Sequence, residues 1–275
     1  MLLKAIWSVV VFVVVLASAL VLLQDFLIFP ALYFPWISTA HKVPEAPPSG
    51  VQNSYVTTED GKLIHVWHVT TDSAPRKGVM LLFHGNGDTL STFVGVQRLL
   101  AAAGYDSYAF DYRGFGRSAG WPSELGMYRD GLAVLDHISA KERIASEEVV
   151  LWALSLGTGP ASYVAREVQS RTLVMLAPYR SLHAVIDQHP LFWPLRRFSR
   201  YRFPTEDYLR ELNGTRVVVL HGDQDTVIPV SHSRAMHQAL KSEIDLCYIE
   251  LEGGNHFNML SGDYAARMLN ALSVC

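Results

Sequence analysis

The chain is 275 residues long, 49% hydrophobic and 18% charged, which suits one sizeable core and excludes a largely disordered or low-complexity protein. Its formal net charge of -3 supplies no global attraction to nucleic-acid phosphates, so nucleic acid is not an expected partner. Two cysteines, Cys247 and Cys275, stand without Cys-x-x-Cys or Cys/His ligand spacing, and neither a disulfide framework nor a structural metal is expected.

From Ala5 to Leu23 no residue is charged, and as a helix this run nearly matches the hydrocarbon thickness of a bilayer, about 30 Å. An N-terminal transmembrane helix is the expectation. Ala17-Ser18-Ala19 is a small-x-small cleavage site behind Lys4, so a cleaved signal and a secreted product is the alternative; the apolar run continuing to Leu23 argues against cleavage. Phe26 to Trp36 adds aromatic residues of the kind found at membrane interfaces, which makes 1–36 an anchor with an interfacial segment. Lys4 ahead of the span and Asp25 behind it place the rest of the chain on the non-cytoplasmic side. Pro44, Pro47, Pro48 and Gly50 mark a linker over 37–50.

Residues 51–275 alternate short β-branched or aromatic runs with longer amphipathic stretches, the pattern of a mostly parallel sheet wrapped by helices. Val51 to Val56 and Lys62 to Thr70 flank Asp60-Gly61, a hairpin turn dipeptide. Val79 to Phe83, Ser107 to Phe110, Val149 to Leu154, Leu173 to Leu176, Val217 to Leu220 and Leu246 to Leu251 follow, giving roughly eight strands, several apolar throughout as buried parallel strands are. Between Tyr179 and Thr215 the rhythm breaks, and a short cap over 179–215 is expected. In it Arg196, Arg197, Arg200 and Arg202 alternate with Phe198, Tyr201 and Phe203. Two readings compete: contact with anionic headgroups, or a solvated cap with its aromatics packed inward, which is the one favoured.

Ligands of such sheets gather beyond the carboxyl ends of the strands. After Val149 to Leu154 come Ser155-Leu156-Gly157-Thr158-Gly159 and a helical stretch, the strand, sharp turn and helix of a nucleophile elbow. Ala153 stands where the usual Gly-x-Ser-x-Gly has its first glycine, the mildest departure available. Gly116-Arg117-Ser118-Ala119-Gly120 matches that motif letter for letter, but its strand has already ended and Trp121-Pro122 follows where a helix should begin, so Ser118 is read as a loop residue. A serine hydroxyl needs a base and an acid to hold that base in the right tautomer. His256 in Gly253-Gly254-Asn255-His256-Phe257, past the last strand, is the base. The segment His221-Gly222-Asp223-Gln224-Asp225 offers two acids, and spacing alone does not choose between them. Charge developing on a substrate oxygen needs two N–H donors; the His84-Gly85-Asn86-Gly87 turn supplies one at Asn86, and Leu156, after the nucleophile, supplies the other. His65 and His68, three apart on a strand, face opposite sides and do not form a side-by-side metal site. His84 and His221 are read as local structural groups.

From about Tyr55 onward the chain resembles the α/β-hydrolase superfamily. The His84-Gly85-Asn86-Gly87 turn, the Asp111-Tyr112-Arg113-Gly114 loop, the Ser155 elbow, the Asp225 segment and the Gly254-Asn255-His256 loop stand in that superfamily's order. In relatives with His-Gly-x-x-Asp-x-x-x-Pro the aspartate four residues before the proline is the triad acid, so the resemblance selects Asp225. Gln24 to Pro30 is similar to membrane-anchored members described as lipase-like or serine-aminopeptidase-like. The resemblance implies an α/β-hydrolase fold over 51–275 and an esterase-like or lipase-like serine hydrolase that works through an acyl-enzyme without metal or organic cofactor. Its substrate would be a small acyl compound, lipophilic in keeping with Leu191, Phe192, Trp193 and Leu195 in the cap. Thioester or peptide cleavage by the same triad, or a catalytically silent binding protein, are the alternatives.

Overall fold

The computed structural model describes residues 2–29, 43–44, 46–188, 193–261, 266–271 and 275. In chain order the elements are α1 (Leu2–Leu22), α2 (Gln24–Ile28), β1 (Gln52–Thr57), β2 (Leu63–Val69), β3 (Gly78–Phe83), α3 (Leu90–Ala102), β4 (Tyr105–Phe110), α4 (Glu124–Glu142), β5 (Val150–Leu154) and α5 (Thr158–Val168). They continue with β6 (Thr172–Leu176), α6 (Leu182–Asp187), α7 (Thr205–Arg210), β7 (Arg216–Gly222), α8 (Ser231–Leu240) and β8 (Asp245–Leu251). One eight-stranded sheet has the order β1-β2-β4-β3-β5-β6-β7-β8. β1 and β2 pair antiparallel, as do β2 and β4, and every later pairing is parallel. All eight expected strands are found.

Side chains of a strand alternate between faces, and helices cover both faces here, which is why the central strands are apolar throughout. Leu81, Phe83, Ala153, Met175 and Val219 face one core with Val134 and Ile138 of α4 and Val164 of α5. Met80, Leu82, Trp152, Val174 and Val218 face the other with Phe93 and Leu100 of α3. The hairpin between β1 and β2 closes through Thr58, whose hydroxyl donates to Asp60 at 2.6 Å. Arg113 then ties that hairpin to α4, reaching Asp60 and Asp130 at 2.8 Å each.

The N-terminal segment behaves differently from the expectation at Phe29. That ring is fully buried in the first core, edge-on to Phe115 and Tyr201, and does not serve as an interfacial aromatic. The rest of the expected interfacial run, 30–36, and the start of the linker, 37–42, lie outside the described residues, while Val43 packs into the second core. Among the described residues no helix is long and apolar enough to cross a membrane. α1 itself runs for 21 residues, but the side chains described in it without a break are those of 4–16, all exposed.

The excursion between β6 and β7 holds α6, a 3₁₀ turn over Trp193–Phe198 and α7, where the cap was expected. Leu191 and Phe192 lie outside the described residues, as do the side chains of Trp193 and Leu195. Tyr201 and Phe203 are buried and Phe198 is exposed, so the inward-packing reading holds for two of the three aromatics. Arg196 pairs with Asp187 and Arg200 with Asp25.

The cysteine expectation is corrected: Cys247 on β8 and Cys275 are joined in a disulfide across 28 residues of sequence. Two isolated cysteines carry no framework pattern, and only the return of the C-terminus against β8 brings them together.

Two buried histidines predict an acid-sensitive fold. His68 stacks on the Tyr108 ring at 3.9 Å, and burial, aided by the nearby Lys141 charge, pushes its pKa down to about 4. Burial does the same to His232, also to about 4, with the charges of His221 and Arg180 adding to it. Both are neutral in the fold and protonate near pH 6.5 when unfolded, so their contribution is full above about pH 6.5 and is lost as pH falls toward 4. The loss amounts to as much as about 3 kcal/mol for each. Thermal melting should therefore hold steady above neutrality and drop between pH 6.5 and 4, and a His68→Gln, His232→Gln double variant should flatten that drop. An equally steep profile in the double variant would refute the assignment.

Candidate active site

Ser155 follows directly on β5 with φ at +50°, a left-handed conformation that a non-glycine residue adopts only when its surroundings enforce it. A 3₁₀ turn over Ser155–Gly157 then leads into α5. The enforcing contact is at Gly157: a Cβ there would lie 2.4 Å from the carbonyl oxygen of Phe83. Only glycine lets the turn press against the end of β3. Ala153, at the place of the motif's first glycine, pairs with Phe83 in the sheet register and its methyl is wholly buried. Ser155 is buried, and its hydroxyl donates to no acceptor among the described residues.

Asp225 sits beyond β7. Its Oδ1 accepts the N–H groups of Val227 and Ile228 at 2.9 Å each. Its Oδ2 lies 2.7 Å from Nδ1 of His256 and 3.4 Å from Nε2 of His221. Burial works against the charge on this carboxyl, but hydrogen bonds from His221 and His256, the His256 charge and the Ile228 N–H together hold it well below the usual carboxylate range. An ionised carboxylate can only accept, so His256 carries its proton on Nδ1 and leaves Nε2 as the basic nitrogen.

The loops carrying acid and base are fastened to each other. A Cβ on Gly222 would fall 2.3 Å from the Gly254 carbonyl oxygen, so glycine is required where β7 ends beside the His256 loop. Gln224 N–H donates to Gly254 at 2.9 Å, and Gly253 N–H donates to Asp223 Oδ1 at 2.8 Å. The histidine loop is stiffened from within, since Asn255 N–H donates to Asn258 Oδ1 at 2.7 Å and Asn255 Oδ1 accepts from Phe257 and Asn258. His221 receives the Ser233 hydroxyl at 2.6 Å and faces the Ile228 carbonyl at 2.7 Å, which makes it a support for the Asp225 turn.

The turn after β3 stands against the serine: a Cβ on Gly85 would sit 3.6 Å from Ser155 Cβ. Tyr112 holds this turn by donating to the His84 carbonyl at 3.0 Å, and Tyr179 donates to the Leu156 carbonyl at 3.0 Å. Asn86 donates its side-chain amide to the carbonyl of Ile28 at 2.6 Å. The structure thus joins Asp225 to His256 and sets the Asn86 turn beside Ser155; no hydrogen bond joins Ser155 to His256 among the described residues.

Comparison with known proteins agrees with this layout. The family pattern described as serine aminopeptidase, S33, matches residues 74–207. An esterase of Pyrococcus furiosus superposes with a TM-score of 0.68 over 85% of this chain and 94% of its own, at 16% identity. The chain has the α/β-hydrolase fold, and a little under half of it matches the serine aminopeptidase pattern. Among sequence relatives, the lysophosphatidylserine lipase ABHD12 of Danio rerio is 28% identical over 222 residues, 67% of this chain and 57% of the relative. The Mycobacterium tuberculosis protein MT2364 is 26% identical over 231 residues, 84% of this chain and 82% of that protein. The chain therefore spans a little over half the length of the ABHD12 relatives it matches.

The remaining sequence candidates fall into supporting places. Ser118 of the decoy motif is buried, donating to the Asp111 carbonyl at 2.6 Å and accepting His65 N–H at 2.8 Å. It clamps the loop after β4 to β2. His65 meets Asn53 at 2.6 Å while His68 lies against Tyr108, so the two rings have separate surroundings. Sequence reasoning missed the Ile28 contact with Asn86. Nothing in an aromatic run behind an apolar helix distinguishes docking into a protein from resting at a bilayer.

Proposed function

We propose that this hydrolase cleaves carboxylic esters with Ser155 as nucleophile, His256 as general base and Asp225 as the acid that orients it. The observation that carries this reading is the 2.7 Å bond between His256 Nδ1 and Asp225, in a protein whose Ser155 is held on a left-handed turn. In acylation the Ser155 hydroxyl attacks the ester carbonyl and its proton passes to His256 Nε2. Asp225 stabilises the imidazolium, while the Asn86 and Leu156 N–H groups receive the charge on the carbonyl oxygen. His256 then protonates the departing alcohol, and water repeats the sequence in reverse to free the acid. Donor and acceptor pairs in such sites commonly tighten only once substrate is bound, which accommodates the uncommitted Ser155 hydroxyl.

Similarity to a lysophosphatidylserine lipase favours a single-chain amphiphilic ester as substrate. In matched ester, thioester and anilide series with one acyl group, turnover should be highest for the oxygen ester and rise with acyl length. Preferential cleavage of the anilide would replace this reading with a peptidase. The uncharged run from Ala5 to Leu23, exposed over 5–16, is proposed as a membrane anchor, a reading carried by the sequence. The Cys247–Cys275 disulfide supports a non-cytoplasmic catalytic domain, because such bonds persist in oxidising compartments. Protease digestion of sealed cells should reach the domain from outside; protection would reverse the topology.

A further inference from the structure

The segment that leaves α1 docks behind the turn that carries Asn86. Phe29 is wholly buried, its ring 6.0 Å from Phe115 and 5.1 Å from Tyr201, edge-on to both. Phe115 in turn lies 5.3 Å from the His84 ring, at the base of the Asn86 turn. Asp25 Oδ1 receives the Tyr201 hydroxyl at 2.6 Å and the Arg200 guanidinium at 2.9 Å, and Gln24 Oε1 accepts Arg200 N–H at 2.7 Å. With Phe29 N–H bonded to the Asp25 carbonyl at 2.8 Å, the short helix α2 is fixed at both ends to the hydrolase domain. It delivers the Ile28 carbonyl to the Asn86 side chain at 2.6 Å. That is the one described bond of this amide, since Asn86 Oδ1 is buried without a partner.

We infer that Gln24 to Phe29 is a positioning strap for the oxyanion turn, with the Ile28 carbonyl fixing Asn86 so that its backbone N–H points at the reacting oxygen. This rests on the proposed role of the Asn86 N–H. A turn held by a glycine on either side has little stiffness of its own, and a displacement of about 1 Å in such a donor weakens catalysis about a hundredfold. Ile28 and Phe29 are therefore positioning residues.

The test uses full-length protein in detergent micelles, with turnover of a short p-nitrophenyl ester expressed per site titrated by a fluorophosphonate, so that misfolded molecules drop out of the count. Asn86→Ala removes the tether but keeps the backbone N–H; Phe29→Ala undocks the strap. Each should lower kcat per titrated site about 10- to 100-fold with little change in KM. Because both break one tether, the double variant should be no slower than the worse single variant. Single variants that melt earlier yet keep wild-type kcat per site would overturn the strap, as would effects that multiply in the double variant. Asn86→Pro, which deletes the N–H itself, separates this failure from failure of the underlying reading. A loss of a hundredfold or more there, beside unaffected tether variants, rejects the strap alone; wild-type kcat there rejects the oxyanion role of Asn86 and the strap with it.

Discussion

Ser155→Ala should lower kcat by about 10⁴-fold or more and abolish fluorophosphonate labelling, because the residual catalysis of a site stripped of its nucleophile comes only from binding and the oxyanion donors. The fold should survive, since the Ser155 hydroxyl donates to no acceptor among the described residues and its loss leaves no buried partner stranded. Ser118→Ala should do the reverse. Its hydroxyl bridges the Asp111 carbonyl and the His65 N–H, and removing it strands two buried groups for about 1–3 kcal/mol of stability, while labelling continues. Persistent labelling of the Ser155 variant, or its loss in the Ser118 variant, would move the nucleophile to the motif that matches letter for letter.

The second large effect concerns the acid. Asp225→Asn should reduce kcat by about 10⁴-fold with little change in structure. The side-chain oxygen that receives Val227 and Ile228 is retained in the amide, so the turn keeps its shape. The atom facing His256 becomes an NH₂ donor, and the imidazole loses both its enforced tautomer and the charge that stabilises its protonated form. Asp223→Asn keeps an acceptor for the Gly253 N–H and should change kcat by no more than about threefold. If Asp223→Asn proves the more damaging of the two, the choice of acid is wrong. kcat for both variants across the pH range, measured per titrated site, decides the matter.

The fold was legible in the chain because burial on both faces of a parallel sheet demands apolar runs such as Val79 to Phe83 and Leu173 to Leu176, and these are the strands β3 and β6. The candidate site was legible as a place because the residues proposed for chemistry follow strand ends, and Gly157 and Gly222 sit where a side chain would collide with backbone. Spacing could not separate Asp223 from Asp225, since both belong to one loop and differ only in which side chain turns toward His256. What stayed hidden depends on contacts between distant segments. Phe29 and Phe115 have no sequence relation that announces their packing, and Cys247 with Cys275 becomes a pair only after the C-terminus folds back on β8.

The cap leaves the sheet after β6 and returns to it at β7, and these two strands pair along their length, from Thr172 opposite Arg216 to Leu176 opposite Leu220. Ala177 N–H adds a further bond to the Leu220 carbonyl at 2.9 Å, so the doorway of the insertion is stitched shut at its foot. The strands on either side keep their register, but Arg200 and Tyr201 of the excursion hold Asp25, so exchanging its sequence would reach the strap that ends at Asn86.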